Sequence, residues 1–358
     1  MKPLFALFLV FTFYNSIAQN LIVLKGRVMG DNRQAVPFAN VYINSTSFVT
    51  QTDEKGFFSL KLNSDLPKIE LVASSVGYKT LKKSLLRKDL YSNLDIVLEV
   101  NTIGEVKITA KRDGEWRRKW QIFKNGILGK SMFTSDCTIE NMEAIRLVYD
   151  DENKLNGTTI EPIIIKNKAL GYQIVFDMNK FLFDGGVNYF GGGTYFKELK
   201  PTDEKQANQW QENRKRAYRT SSRNFLEALT ENQARNSGFE TFEMSVPWNY
   251  FSGEVLIRHE INEGRLKPLE DSKICFRDST KNEYRLISTK TLLIIHTNQP
   301  VERSIFVDYP YEFSTITMPY NYITFTKNGW IKNYNGVLFK NFWGREGFSN
   351  LLPDDYRP

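Results

Sequence analysis

The sequence predicts a mainly β, α+β protein of two domains: a small β-sandwich, then a larger β-rich domain with two or more helices. Three observations predict it. Short runs of alternating apolar and polar residues, broken by Gly, Asn and Asp, recur along most of the chain, which is the pattern of half-buried strands joined by turns. Aromatic residues are abundant, with 26 Phe, 17 Tyr and 6 Trp, and they favour pleated surfaces packed on one side. Two segments instead carry helical spacing, Trp116 to Ile127 and Asp203 to Thr230. A chain of 358 residues suits one small and one larger domain, each with its own core.

At the amino terminus Lys2 precedes an apolar run from Leu4 to Tyr14, followed by Ser16-Ile17-Ala18 with small residues at −3 and −1 of a cleavage point. Residues 1–18 therefore read as a signal peptide, since the run is well short of the roughly 20 residues that span a bilayer. The mature chain is expected to begin at Gln19 and to be exported, residing in the periplasm or at the outer membrane and cell surface. No later run has the length of a transmembrane helix.

Between residues 20 and 100 the strands follow in order. Ile22 to Val28 alternates, Gly30-Asp31-Asn32 turns the chain, and Val36 to Ile43 reads as the next strand. Thr52 to Leu60 carries a hairpin signal: Asp53 can accept hydrogen bonds from the turn, and Gly56 can take positive φ without a Cβ clash. Ile69 to Ser74 and Leu94 to Val100 add further strands, giving five to seven in a sandwich.

The ordered set Gly26-Arg27-Val28, Pro37-Phe38-Ala39-Asn40-Val41, Thr52-Asp53-Glu54-Lys55-Gly56-Phe57-Phe58 and Ser75-Val76-Gly77-Tyr78 resembles the carboxypeptidase-regulatory-like domain, a transthyretin-like sandwich. The resemblance implies a non-catalytic module, of the kind found beside metallocarboxypeptidases and at the start of many TonB-dependent outer-membrane transporters. It does not imply peptidase activity here. A zinc peptidase needs two His and a carboxylate around an open metal position, whereas this chain has only His259 and His296, far apart and outside any H-E-x-x-H spacing.

Residues 101–112 read as a linker with a strand-like piece, Glu105 to Ala110, and residues 113–358 as the second domain. Trp116, Trp120, Phe123 and Ile127 stack on one helix face as core. Strands are expected at Ala144 to Tyr149, Ile160 to Lys166, Tyr172 to Phe176 and within Phe181 to Tyr195, where Gly185-Gly186 and Gly191-Gly192-Gly193 read as hairpin turns. Asp203 to Thr230 is expected as one helix capped by Thr202 or Asp203. Its wheel groups Trp210, Ala217, Tyr218, Ser221, Phe225, Ala228 and Leu229 on one side and Lys215, Arg216, Arg219 and Arg223 on the other. Further strands are expected at Val255 to Ile261, Tyr284 to Ile295, Ser304 to Val307, Ser314 to Met318, Tyr322 to Thr326 and Gly336 to Phe339.

A second group of stretches resembles the uncharacterised domain that accompanies this sandwich in exported proteins of Gram-negative envelopes. They are Cys137 to Asn141, Leu170-Gly171-Tyr172, Asn213-Arg214 with Ala217-Tyr218, Asn224-Phe225-Leu226, Gly238-Phe239, Asp308-Tyr309-Pro310 and the Leu351 to Tyr356 end. Such relatives often carry His before the Phe-Leu pair and Gly-Ser after the Ala-Tyr pair. Here those places hold Asn224 and Arg219-Thr220, so the resemblance supplies no catalytic histidine.

No residue set specifies a reaction, a cofactor or a metal. The Gly clusters lack a following Gly-Lys-Ser/Thr, no G-x-S-x-G elbow occurs, and Asp150-Asp151-Glu152 and Asp354-Asp355 are adjacent carboxylates expected to be solvated. Cys137 and Cys275 could pair or stay as separate buried thiols. The net charge of +7 is spread along the chain with Asp and Glu between the cations, which reads as an ordinary solvated surface; peripheral membrane association is the alternative, and nucleic-acid binding is not expected. Lys215, Arg216, Arg219 and Arg223 are the candidate surface for an anionic partner. Arg214 falls within the apolar side, where a guanidinium needs a carboxylate or several carbonyls, and is expected in a buried structural ion pair. The expected function is an envelope binding or adaptor protein with a protein or glycan partner. A hydrolase with an unrecognised site in the second domain is the alternative, signalled by a histidine meeting a carboxylate in a deep pocket.

Overall fold

The computed structural model describes residues 21–63, 66, 69–101, 114–244, 257–301 and 308–358. The expected signal peptide, the strand at Glu105 to Ala110 and the one at Ser304 to Val307 lie outside the described residues. The described chain is mainly β with helices, an α+β arrangement in several sheets.

The first domain comprises β1 (Leu21–Gly30), β2 (Asn40–Ile43), β3 (Val49–Gln51), β4 (Phe57–Asn63), β5 (Ile69–Ser74), β6 (Leu81–Leu85) and β7 (Asn93–Leu98). Two sheets, β4-β1-β7 and β3-β2-β5-β6, face each other. Alternation along β1 sends Ile22, Leu24 and Val28 inward to meet Val41, Ile43, Leu60, Leu71 and Ile96. The expected strand from Val36 shortens to start at Asn40, because Phe38 takes a left-handed φ of 55° and breaks the pleat. The Asp53 turn forms as expected, with its carboxylate accepting from the Lys55 and Phe57 amides at 2.9 and 2.8 Å. However, the turn does not close a hairpin. It carries the chain from β3 in one sheet to β4 in the other.

The second domain opens with α1 (Gly114–Leu128), whose Phe123 packs 4.7 Å from Phe181. Next come β8 (Cys137–Ile139), β9 (Ile145–Tyr149), β10 (Leu155–Thr159), β11 (Ile163–Asn167), β12 (Tyr172–Asp184) and β13 (Val187–Glu198), forming a six-stranded antiparallel sheet around the long β12. Gly185-Gly186 forms the β12–β13 turn. The Gly191-Gly192-Gly193 cluster, expected as a turn, instead lies inside β13.

The expected single helix from Asp203 is two helices, α2 (Glu204–Thr220) and α3 (Ser222–Thr230). Asp203 caps the first by accepting from the Gln206 amide at 2.7 Å. At the break Ser221 is extended, and its hydroxyl accepts from the Asn224 amide while donating to Tyr218 O. A serine able to end one helix and cap the next competes locally with continuation.

Beyond lie β14 (Phe239–Met244), α4 (Ile257–Asn262), β15 (Leu266–Pro268), α5 (Asp271–Ile274), β16 (Cys275–Asp278), β17 (Glu283–Ile287), β18 (Leu292–Pro300), β19 (Tyr311–Thr317), β20 (Tyr322–Phe325), β21 (Leu338–Asn341) and α6 (Phe342–Arg345). They form the sheets β15-β14-β18-β19-β21 and β16-β17-β20. The expected strand at Tyr284 to Ile295 is two strands. At Val255 to Ile261 the described part is helical, with Asp308 accepting from the Arg258 and His259 amides at the helix start. The continuous apolar run Leu292 to Ile295 is the central strand, buried on both faces. Cys137 and Cys275 are both free, in different cores.

The domains meet on the outer face of the β3-β2-β5-β6 sheet. Tyr42 and Val72 bury against Val175 and Tyr195, and the Asn44–Thr46 loop extends the edge of β13 through Ser45 N to Thr194 O (2.6 Å) and Phe196 N to Thr46 O (2.9 Å). No helix among the described residues is long and apolar enough to cross a membrane, which leaves strand-based crossing unaddressed.

Candidate functional site

The tail after α6 runs through Gly347 and Phe348 against the end of α1, then through Leu351 to Tyr356 between the two domains. Asp354 N donates to Ser45 O at 2.7 Å, and the Asp355 carboxylate accepts from Ser47 N at 2.8 Å and Ser47 Oγ at 2.5 Å. On its other side the tail meets α2 and α3. Arg223 donates to Pro353 O at 3.4 Å and to Tyr356 O at 2.8 Å.

Under the tail lies a cavity of about 340 Å³. Its apolar wall includes Phe190, Ile331, Phe339 and Phe348, and its polar groups are Tyr218, Arg223, Trp330, Glu346 and Asp354. Trp330 is held between two guanidinium groups, Arg223 at 4.6 Å and Arg357 at 4.5 Å from the ring. Burial raises the Tyr218 phenol pKa, and its donation to Glu227 adds to the rise.

Two carboxyls here are unusual. Burial pushes Glu346 up to about 8, against Asn350, which donates to it, and the nearby Arg345. Burial pushes Asp354 up to about 7, opposed by Arg223. Two donors are unusual in the opposite sense: Arg223 Nε and Trp330 Nε1 are buried without hydrogen-bond geometry to any partner among the described residues, although Trp330 is close enough to Asp354 to favour its ionised form. Burial and the charge of Arg357 also lower the Arg223 pKa.

The sequence candidates are scattered around this site. Lys215 is tied to Glu212 at 2.8 Å, and Arg216 and Arg219 are exposed. Arg223 departs from the basic face, because the break at Ser221 resets the wheel and turns it into the cavity wall. Arg214 donates to Leu170 O at 2.7 Å, Gly171 O at 3.3 Å and Glu198 at 3.0 Å, and lies 4.0 Å over the Tyr172 ring. Its side chain is 12% exposed but that of Glu198 is 63% exposed, so chain carbonyls satisfy the inner end and the ion pair reaches the surface.

The histidines do not build a catalytic site. His296 sits in the core between Phe239, Phe342 and Trp343, bonded to Ser314 Oγ at 2.8 Å, and burial drops its pKa to about 3. His259 is exposed on α4. Among the described residues no group of three or more His, Cys, Asp or Glu could hold a metal. Glu346 and Trp330 gave no sequence signal, and Asp354 was expected in solvent. The available hint was the resemblance itself: Ala217-Tyr218 and Leu351, Leu352 and Asp354 of the Leu351 to Tyr356 end line the cavity, while Leu170-Gly171-Tyr172 and Asn213-Arg214 bond to one another outside it.

Residues 24–108 match the family model of the CarboxypepD_reg-like domain, so the sandwich is a domain of that kind. No curated protein matches the chain. Among solved structures, a DUF3823 family protein from Bacteroides ovatus is similar over 51% of this chain and 82% of its own, at 11% identity and a TM-score of 0.16.

Proposed function

We propose that this chain is a non-catalytic binding protein of the cell envelope, exported by its amino-terminal segment. The carboxypeptidase-regulatory-like sandwich acts as an adaptor, and the cavity under the tail takes a protein or glycan ligand. One observation carries the reading: a cavity of about 340 Å³ has a largely apolar, aromatic-rich wall with the polar groups of Tyr218, Arg223, Glu346 and Asp354 set into it, the makeup of a small-ligand site.

The test is binding of the mature chain to glycan and peptide arrays, beside the Phe190→Ala variant. Phe190 is 39% exposed, so its truncation alters the wall with little expected loss of fold. Selective binding that falls at least tenfold in the variant supports the reading. Binding unchanged by the variant contradicts it.

The second reading, an envelope hydrolase, is favoured by Glu346 and Asp354 lining one cavity, both raised by desolvation, since a carboxyl still protonated near neutral pH has the character of a general acid. Turnover of chromogenic glycosides or esters, abolished by Glu346→Gln, would favour it over binding.

A further inference from the structure

A second cavity, of about 290 Å³, adjoins the first across Ala217 and Asn350. Its charged residues come from separate parts of the chain: Lys130 after α1, Arg216 on α2, Glu312 on β19 and Arg345 on α6. Three cations and one carboxylate leave a net charge of +2, by 3 minus 1. Arg345 pairs with Glu312 at 2.8 Å, whereas Lys130 and Arg216 make no ion pair among the described residues. Like charges brought to one concavity repel one another unless an anion joins them, and a concave wall concentrates their field.

The fold holds this arrangement firmly. Lys130 N donates to Arg345 O at 2.7 Å, and Trp343 of α6 donates through Nε1 to Thr220 O at 2.7 Å, so three of the elements that supply the charges are fastened to one another. Gln299 adds a neutral amide, while Met132, Phe133 and Phe342 provide an apolar wall. A lining that combines cations with apolar side chains suits a small amphiphile better than a polymer. Lys215 and Arg219, which would continue a basic stripe for a polyanion, do not line the cavity.

We infer that this cavity binds the anionic group of a small molecule, a phosphate or sulfate ester or a carboxylate on an apolar body. Arg216 and Lys130 supply the free charge, and Arg345 is held in place by Glu312. The site is separate from the cavity under the tail, so it stands or falls independently of the function proposed there.

The experiment is calorimetric titration of the full chain at low salt with phenyl phosphate, 4-nitrophenyl sulfate and benzoate, with inorganic phosphate as the bare anion and phenol as the neutral control. The expected result is binding of one or more aromatic anions, with phenol at least tenfold weaker. Arg216→Gln should reduce affinity about tenfold or more, and Arg219→Gln should leave it unchanged. The ranking of the three anions identifies the chemical source, and Lys130→Gln provides a second variant should Arg216→Gln melt early. Phenol binding as well as the anions, or equal affinity in wild type and both cavity variants, would overturn the inference.

Discussion

Tyr42 lies in the interface between the domains with its hydroxyl buried and unpaired among the described residues. The absence of a Cβ at Gly193 makes room for it, since a Cβ there would stand 2.5 Å from Tyr42 Oη. Tyr42→Phe should therefore be neutral or stabilising by about 1 kcal/mol, because it removes a polar group that has lost water without gaining a partner. Gly193→Ala should destabilise by about 1–3 kcal/mol through overpacking. The cost should be smaller in a chain that already carries Tyr42→Phe, as a urea-unfolding double-mutant cycle would show. The raised carboxyls make a prediction of opposite character. Glu346 is neutral in the fold but ionised when unfolded, so its contribution is fully present below about 4.5 and is lost as pH rises to about 8. His296, depressed to about 3, acts in the other direction and removes stability as pH falls from about 6.5. Glu346→Gln should flatten the alkaline side of a stability–pH curve and leave the acid side unchanged. Parallel curves for the two proteins would refute the buried-acid account.

Among the elements, strands with clean alternation were readable because one face is buried and the other wet, as β1 shows. Elements set by tertiary context were not. The Asp53 turn has its expected local bonds, yet nothing local decides that the strands it joins belong to different sheets. The Gly191–Gly193 run looks like a turn by composition, but inside the strand Gly193 makes room for Tyr42 and Gly192 for the Phe176 ring. The basic wheel failed at Arg223 for a definite reason, the cap at Ser221. If that hydroxyl starts α3, Ser221→Ala should cost about 1 kcal/mol in unfolding free energy and Ser222→Ala clearly less. Equal losses would assign the break to packing alone. The charged groups of the second cavity were invisible for a related reason: Lys130, Glu312 and Arg345 are far apart in sequence and meet only through the fold.

Across the whole molecule, the tail joins what the sequence presents as separate units. It bonds to the sandwich through Ser45 and Ser47, to α3 through Arg223 and to the end of α1 through Phe348 and Ser349. The cavity beneath it is lined wholly by the second domain and the tail, and the sandwich touches it only by holding the tail through Ser45 and Ser47. The sequence showed part of its border, the Leu351 to Tyr356 end and Ala217-Tyr218, but not Trp330 or Glu346, which come from separate loops of the second domain. The account holds that a partner enters this cavity in the envelope. Its most direct test is a photo-crosslinking amino acid placed at Phe190, on the cavity wall, and in a second protein at Ile160, which is exposed and does not line it. The account predicts a discrete crosslinked partner from position 190 and none from 160. Equal adducts from both positions, or a partner captured only from 160, would contradict it.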